Sequence, residues 1–148
     1  MIYLLRHGDA EEGLGDDAAR RLTLKGERQA EAAGRALAAL AAKPDACLTS
    51  PKVRAADTAK LACEALDLEP ETTEELRGGS FDSAALAAGR GDVLLVGHEP
   101  DFSNEAARLT GAKVKLRKGG LAIIDGGVLV ALMRPKDLVA IAGQLSRD

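Results

Sequence analysis

The chain of 148 residues has no tryptophan, one tyrosine, two phenylalanines, two cysteines and only two histidines. With aromatics at 2%, it has too few rings for a base-stacking platform. Positive charge is not in excess either: 20 Lys and Arg face 23 Asp and Glu, for a net charge of -3. That balance argues against a nucleic-acid partner. No apolar run approaches the roughly 18 residues needed to cross a membrane. Arg6 and His7 interrupt the first apolar run too early for a signal-peptide core, so the expectation is a cytoplasmic protein. In that setting Cys47 and Cys63 read as buried thiols, not as a disulfide. Nucleotide-binding signatures are missing as well: no G-x-G-x-x-G follows the first apolar run, and there is no Walker loop. A cysteine phosphatase loop needs five residues between cysteine and arginine, whereas Cys47 and Arg54 have six between them.

The apolar pattern predicts alternating strands and helices. Ile2 to Leu5 reads as a short buried strand, and residues 9 to 22 as a polar loop. Ala30, Ala33, Leu37 and Leu40 recur at helical spacing, with Thr23 as the N-cap and Pro44 beyond the end. "DACLTS" (45–50) is a second strand, followed by a helix with Ser50 as N-cap and Pro51 at its first position. Residues 69 to 79 form a loop or a short strand, and "SFDSAALAAG" a short helix. "DVLLVG" (92–97) is the clearest buried strand, and "PDFSNEAARLTG" (100–111) a helix closed by glycine. "KVKLRKGG" (113–120) reads as an edge strand guarded by lysines. Gly126-Gly127 joins two strands in a hairpin, and Pro135 opens a last helix. This order predicts one domain over residues 1–148, an α/β sandwich with a mostly parallel sheet.

Ligands of open α/β sheets bind beyond the carboxyl ends of the strands. Both histidines fall there, each beside a glycine: Arg6-His7-Gly8 ends the first strand and Gly97-His98-Glu99 ends a later one. Arg54 follows the second strand in the first turn of its helix. Two guanidinium groups and a helix N-terminus favour phosphoryl oxygens. A neutral imidazole there could attack phosphorus and form a phosphohistidine, with the arginines stabilising the equatorial oxygens. A metal site built from His7, His98 and Asp9 or Glu99 is disfavoured by the neighbouring arginines and by the absence of an HExxH-like spacing. The reading therefore includes no metal and no cofactor.

"LLRHGDA", "SPKVRAADTA" and "LLVGHEPDFS" together resemble the three signature segments of the histidine phosphatase superfamily, which has the phosphoglycerate mutase-like fold. The short chain and the series "RHGDA…LT..G..QA…SP..RA..TA…GHEP" are similar to its SixA-like branch of phosphohistidine phosphatases. The resemblance implies a three-layer α/β sandwich. It implies that His7 is the phosphorylated nucleophile and that Arg6, Arg54 and His98 line the phosphate pocket. Gly8 would allow close approach of the backbone to the ligand. The implied partner is a histidine-phosphorylated carrier domain or a small phosphoester. A small-molecule phosphomonoesterase and a non-catalytic phospho-binding module are the alternatives.

The proton donor of larger relatives has no clear counterpart. Glu75, Glu99 and Asp9 are the candidates. A phosphohistidine substrate lessens the need, because imidazole leaves with less acid help than an alkoxide. The segment before "DVLLVG" is short, which predicts an open, shallow pocket.

Overall fold

The computed structural model describes residues 1–13 and 15–145. Strands β1 (Ile2–Arg6), β2 (Ala46–Thr49), β3 (Pro70–Thr72), β4 (Val93–Gly97), β5 (Leu121–Asp125) and β6 (Val128–Met133) form one sheet in the order β3-β2-β4-β1-β5-β6. The first four run parallel, while β5 is antiparallel to β1 and to β6. Helices α1 (Leu24–Ala39), α2 (Val53–Glu64), α3 (Ser83–Ala87), α4 (Asp101–Thr110) and α5 (Pro135–Leu145) cover the faces.

Strand alternation divides the core in two. Leu5, Leu94 and Val96 pack with Ala33 and Leu37 of α1, Ala59 of α2 and Leu138 of α5. Leu4, Leu48 and Leu95 face the other way, onto Phe102 and Ala106 of α4 and onto Leu116. The result is the expected three-layer sandwich. All five residues of β4 are buried, as a strand between two parallel neighbours and two helical layers requires.

Most boundaries follow the sequence reading. The Thr23 Oγ1 accepts from the Gly26 N–H at 3.0 Å and caps α1. Gly126 adopts φ 59° in the β5–β6 turn, where only a left-handed residue keeps the strands paired. Two expectations are corrected. The second helix starts at Val53, with Lys52 in the capping position and no side-chain cap. Ser50 does not cap it, because its Oγ accepts from the Lys52 N–H at 3.2 Å and meets His98 Nε2 at 2.8 Å. Residues 113–120 are not a strand. Their alternation is real, with Val114 and Leu116 buried and Lys113, Lys115 and Arg117 exposed. Their backbone bonds instead go to loops and side chains: Leu116 N–H to Ser103 Oγ, Leu116 C=O to Arg6, and Gly119 N–H to the carbonyls of Arg6 and His7.

Candidate active site

Strands β1 and β4 lie side by side, but the helices that follow them leave to opposite faces. Such a switch point opens a crevice at the carboxyl edge of the sheet. His7 leaves β1 there and His98 leaves β4, with ring centroids 5.3 Å apart. The register pairing Arg6 with Gly97 sets the two histidines level. Thr49, Ser50 and the start of α2 bring Arg54 to the same edge from β2.

His7 and His98 each keep 6% of their surface exposed, and Arg54 keeps 7%. That is more burial than an open, shallow pocket implies. The loop after β1 reaches the site through Arg54. A bridge between Ala10 and Leu22 closes this loop, and its Asp17–Ala19 turn meets Arg54.

The hydrogen bonds define both imidazoles. His7 Nδ1 lies 2.7 Å from the Gly8 carbonyl, which can only accept, so Nδ1 carries the proton. The lone pair is therefore on Nε2. Burial, with Arg54, Arg6 and Arg20 nearby, depresses the His7 pKa to about 4 despite that hydrogen bond. For His98, the Ser50 Oγ already accepts from Lys52 N–H, so its own hydrogen is free to donate to Nε2. Bonding in that direction places the proton on His98 Nδ1. Burial, followed by His7, Arg54 and Lys52, lowers the His98 pKa to about 3. Both rings are neutral at pH 7.

Three buried side-chain nitrogens have no partner: Arg6 Nε, Arg54 Nε and His98 Nδ1. The two guanidinium nitrogens are N–H donors, as is His98 Nδ1 when Ser50 donates to Nε2, and unpaired buried donors carry a desolvation cost. They belong to three of the four residues singled out from the sequence. The fourth, His7, stands among them with its Nε2 lone pair. A tetrahedral oxyanion carries acceptor oxygens enough for several such donors.

Arg6 Nη1 donates to Leu116 O at 3.0 Å, so the 113–120 segment steers it. Arg54 donates from Nη1 to Asp17 O at 2.8 Å and from Nη2 to Asp17 Oδ2 at 3.2 Å. Asp17 also meets Arg20 at 3.2 Å and Lys52 at 3.3 Å, and Arg20 leads in holding its carboxyl at about 2. Gly8 donates its N–H to Thr58 Oγ1, which donates onward to the Arg54 carbonyl. Its missing side chain serves a second contact. A Cβ at Gly8 would lie 2.5 Å from the carbonyl oxygen of Gly26, in the first turn of α1.

The acid candidates are placed less clearly. Glu99 directs Oε1 and Oε2 to the N–H and hydroxyl of Ser103, in the first turn of α4. Glu75 is exposed on the Glu74–Leu76 turn beyond the edge strand β3. Asp9 accepts from Thr23 and meets Lys118 at 3.5 Å. Among the described residues no group of three or more His, Cys, Asp or Glu could hold a metal ion. No described helix is long and apolar enough to cross a membrane. Cys47 and Cys63 are both free thiols and buried. The sequence reading did not single out Asp17, Arg20, Lys52 or Thr58. Lys52 and Thr58 lie within the quoted "SPKVRAADTA" segment, whereas Asp17 and Arg20 sit in a polar loop without periodicity.

The sequence profile of the histidine phosphatase superfamily (branch 1) matches residues 2–86. A phosphohistidine phosphatase SixA homologue of Haemophilus influenzae is 31% identical over 128 residues, 76% of this chain and 78% of its own. The structure of the protein histidine phosphatase SixA complexed with tungstate superimposes with a TM-score of 0.80 at 24% identity, covering 93% of this chain and 98% of that one. A phosphoserine phosphatase of Entamoeba histolytica, solved with phosphoserine, gives a TM-score of 0.70 at 17% identity, with coverage of 93% and 98%. At these identities the two structures establish the fold, which is that of SixA.

Proposed function

The chain belongs to the histidine phosphatase superfamily, and on that premise we propose that it is a metal-independent phosphatase acting on phosphohistidine carried by a protein. The observation that carries this is the set of three unpartnered buried nitrogens, on Arg6, Arg54 and His98, beside a neutral imidazole. Arg6, Arg54 and His98 hold the non-bridging oxygens of the phosphoryl group. His7 Nε2 attacks phosphorus, the phosphorus–nitrogen bond to the substrate breaks with its electron pair going to nitrogen, and the substrate imidazole, already protonated on its other ring nitrogen, leaves as the neutral base. Water then attacks the phosphohistidine, releasing phosphate and restoring His7. The cations stabilise charge on the equatorial oxygens in both steps. Gly8 shapes the turn that aims His7.

Two features support a phosphoramidate substrate over an ester. A SixA homologue is among the relatives matched at 31% identity. Glu99 is held by Ser103 and Glu75 stands on an exposed turn, so neither is presented as a strong acid. An imidazole leaving group needs less protonation than an alkoxide. The tungstate of the SixA structure is a tetrahedral oxyanion, the class of ligand proposed for this pocket.

The test compares the protein with its His7→Ala variant in EDTA. Substrates are a histidine-phosphorylated carrier domain and an aryl phosphate, and phosphate release is followed. Faster release from the carrier domain, abolished in the variant, is the expected outcome. Release from the aryl phosphate alone would replace the proposal with a small-molecule phosphomonoesterase. No release from either would reduce the chain to a phospho-binding module.

A further inference from the structure

The protein is acidic overall, yet one face beside the site is strongly basic. A cavity of about 320 Å³ opens on Arg6 and is lined by Lys25, Gln29, Lys115, Arg117 and Lys118. A second, of about 640 Å³, continues from it past Arg28, Arg134 and Lys136. The two share Lys25, Gln29, Arg117 and Pro135, so they form one trench leading away from the phosphoryl pocket. Its cations come from three places: α1, the 113–118 segment and the start of α5. Arg28, Lys115 and Arg117 are exposed, and their side chains make no ion pair or hydrogen bond among the described residues. Two neighbouring acids are already engaged, Asp9 by Lys118 and Thr23, and Asp137 by Arg134. Pro135 stands where the two cavities join, and Val139, 53% exposed, gives the far end an apolar patch.

We propose that this trench docks an acidic surface of the phosphoprotein substrate, in the stretch flanking its phosphorylated side chain. The inference rests on the phosphatase reading and adds the character of the substrate. A small phosphoester is held by the pocket alone and reaches none of the outer cations. Cations spread over two joined cavities, with an apolar end, fit an extended acidic chain. Electrostatic complementarity of this kind steers encounter and selects partners, and it weakens as salt screens it.

The test uses a phosphohistidine peptide flanked by glutamates, the same peptide flanked by alanines, and an aryl phosphate. Phosphate release and binding by fluorescence anisotropy are measured at low and high salt. The glutamate peptide is expected to show a KM and a Kd about ten-fold lower than the alanine peptide at low salt, with the preference shrinking as salt rises. The double variant Arg28→Glu/Arg117→Glu should abolish the preference and leave turnover of the aryl phosphate within about two-fold, because both residues lie outside the phosphoryl pocket. Equal values for the two peptides, or a preference that survives in the double variant, would overturn the proposal. If the protein hydrolyses none of the three substrates, the phosphatase reading fails. Salt-sensitive binding of the glutamate peptide, lost in the double variant, would still support the trench, and absence of that binding would overturn it.

Discussion

At the scale of single residues, the site depends on which nitrogens carry protons. His7 donates from Nδ1 to the Gly8 carbonyl, 2.7 Å away, which leaves Nε2 nucleophilic. Its pKa of about 4, set mainly by burial and reinforced by Arg54 and Arg6, keeps it unprotonated through the neutral range. The acid limb of kcat/KM should therefore lie near pH 4, not near the ordinary imidazole value of about 6.5. A pH profile corrected for ionisation of the substrate checks this. A limb near 6.5 would show that burial does not hold His7 neutral. Of the four residues read from the sequence, His7, His98 and Arg54 are buried at the carboxyl edge, and Arg6 is half-buried beside them. Their tautomers and orphaned donors were not legible. They depend on Ser50 and on the Gly8 carbonyl, and a sequence does not say which way those groups point.

At the scale of elements, glycines set how closely helices approach. In α1 a Cβ at Gly34 would lie 2.1 Å from the carbonyl oxygen of Ala62 in α2, so backbone touches backbone there. Gly34→Ala should force the helices apart and cost about 1–3 kcal/mol. Denaturant unfolding measures it, with the midpoint falling and the m-value unchanged. A loss below about 0.5 kcal/mol would mean that the two helices separate freely. The Gly8–Gly26 contact ties the His7 turn to the first turn of α1 in the same way. Helices and strands themselves were readable, since Thr23, the apolar repeat of α1 and the run of β4 are local signals. The start of α2 and the 113–120 segment were not. A serine before a proline looks like a cap wherever its hydroxyl goes, and alternating lysines look like an edge strand whether or not a neighbour pairs with them.

At the scale of the whole molecule, the buried neutral histidines link stability to pH. Their folded pKa values, about 4 and about 3, lie below the ordinary value of 6.5. Between about pH 6.5 and 4 the unfolded chain therefore binds more protons than the folded one, and stability falls as pH falls. The depressed carboxyls of Asp9, Asp17 and Glu105 add their losses lower, below the unfolded carboxylate range. Thermal scans from pH 7 to 4 should show Tm dropping through the histidine window, with a shallower drop in His7→Ala/His98→Ala. The same slope in that variant would assign the effect to other groups. The charge distribution is also a property of the whole. Composition reports only an acidic chain, while folding gathers Lys25, Arg28, Lys115, Arg117 and Lys136 along one trench.

The sequence by itself determined the order of strands and helices apart from the 113–120 segment, the family, and the residues at the strand ends. Apolar periodicity and short signature segments are local, and they survive without knowledge of the fold. Tertiary structure alone decided the rest. It placed β4 between β1 and β2, which brings two histidines 91 positions apart to ring centroids 5.3 Å from each other. It laid Asp17 against Arg54, Leu116 against Arg6 and Ser50 against His98. Those contacts join segments distant in the chain, and their directions follow from packing around the sheet.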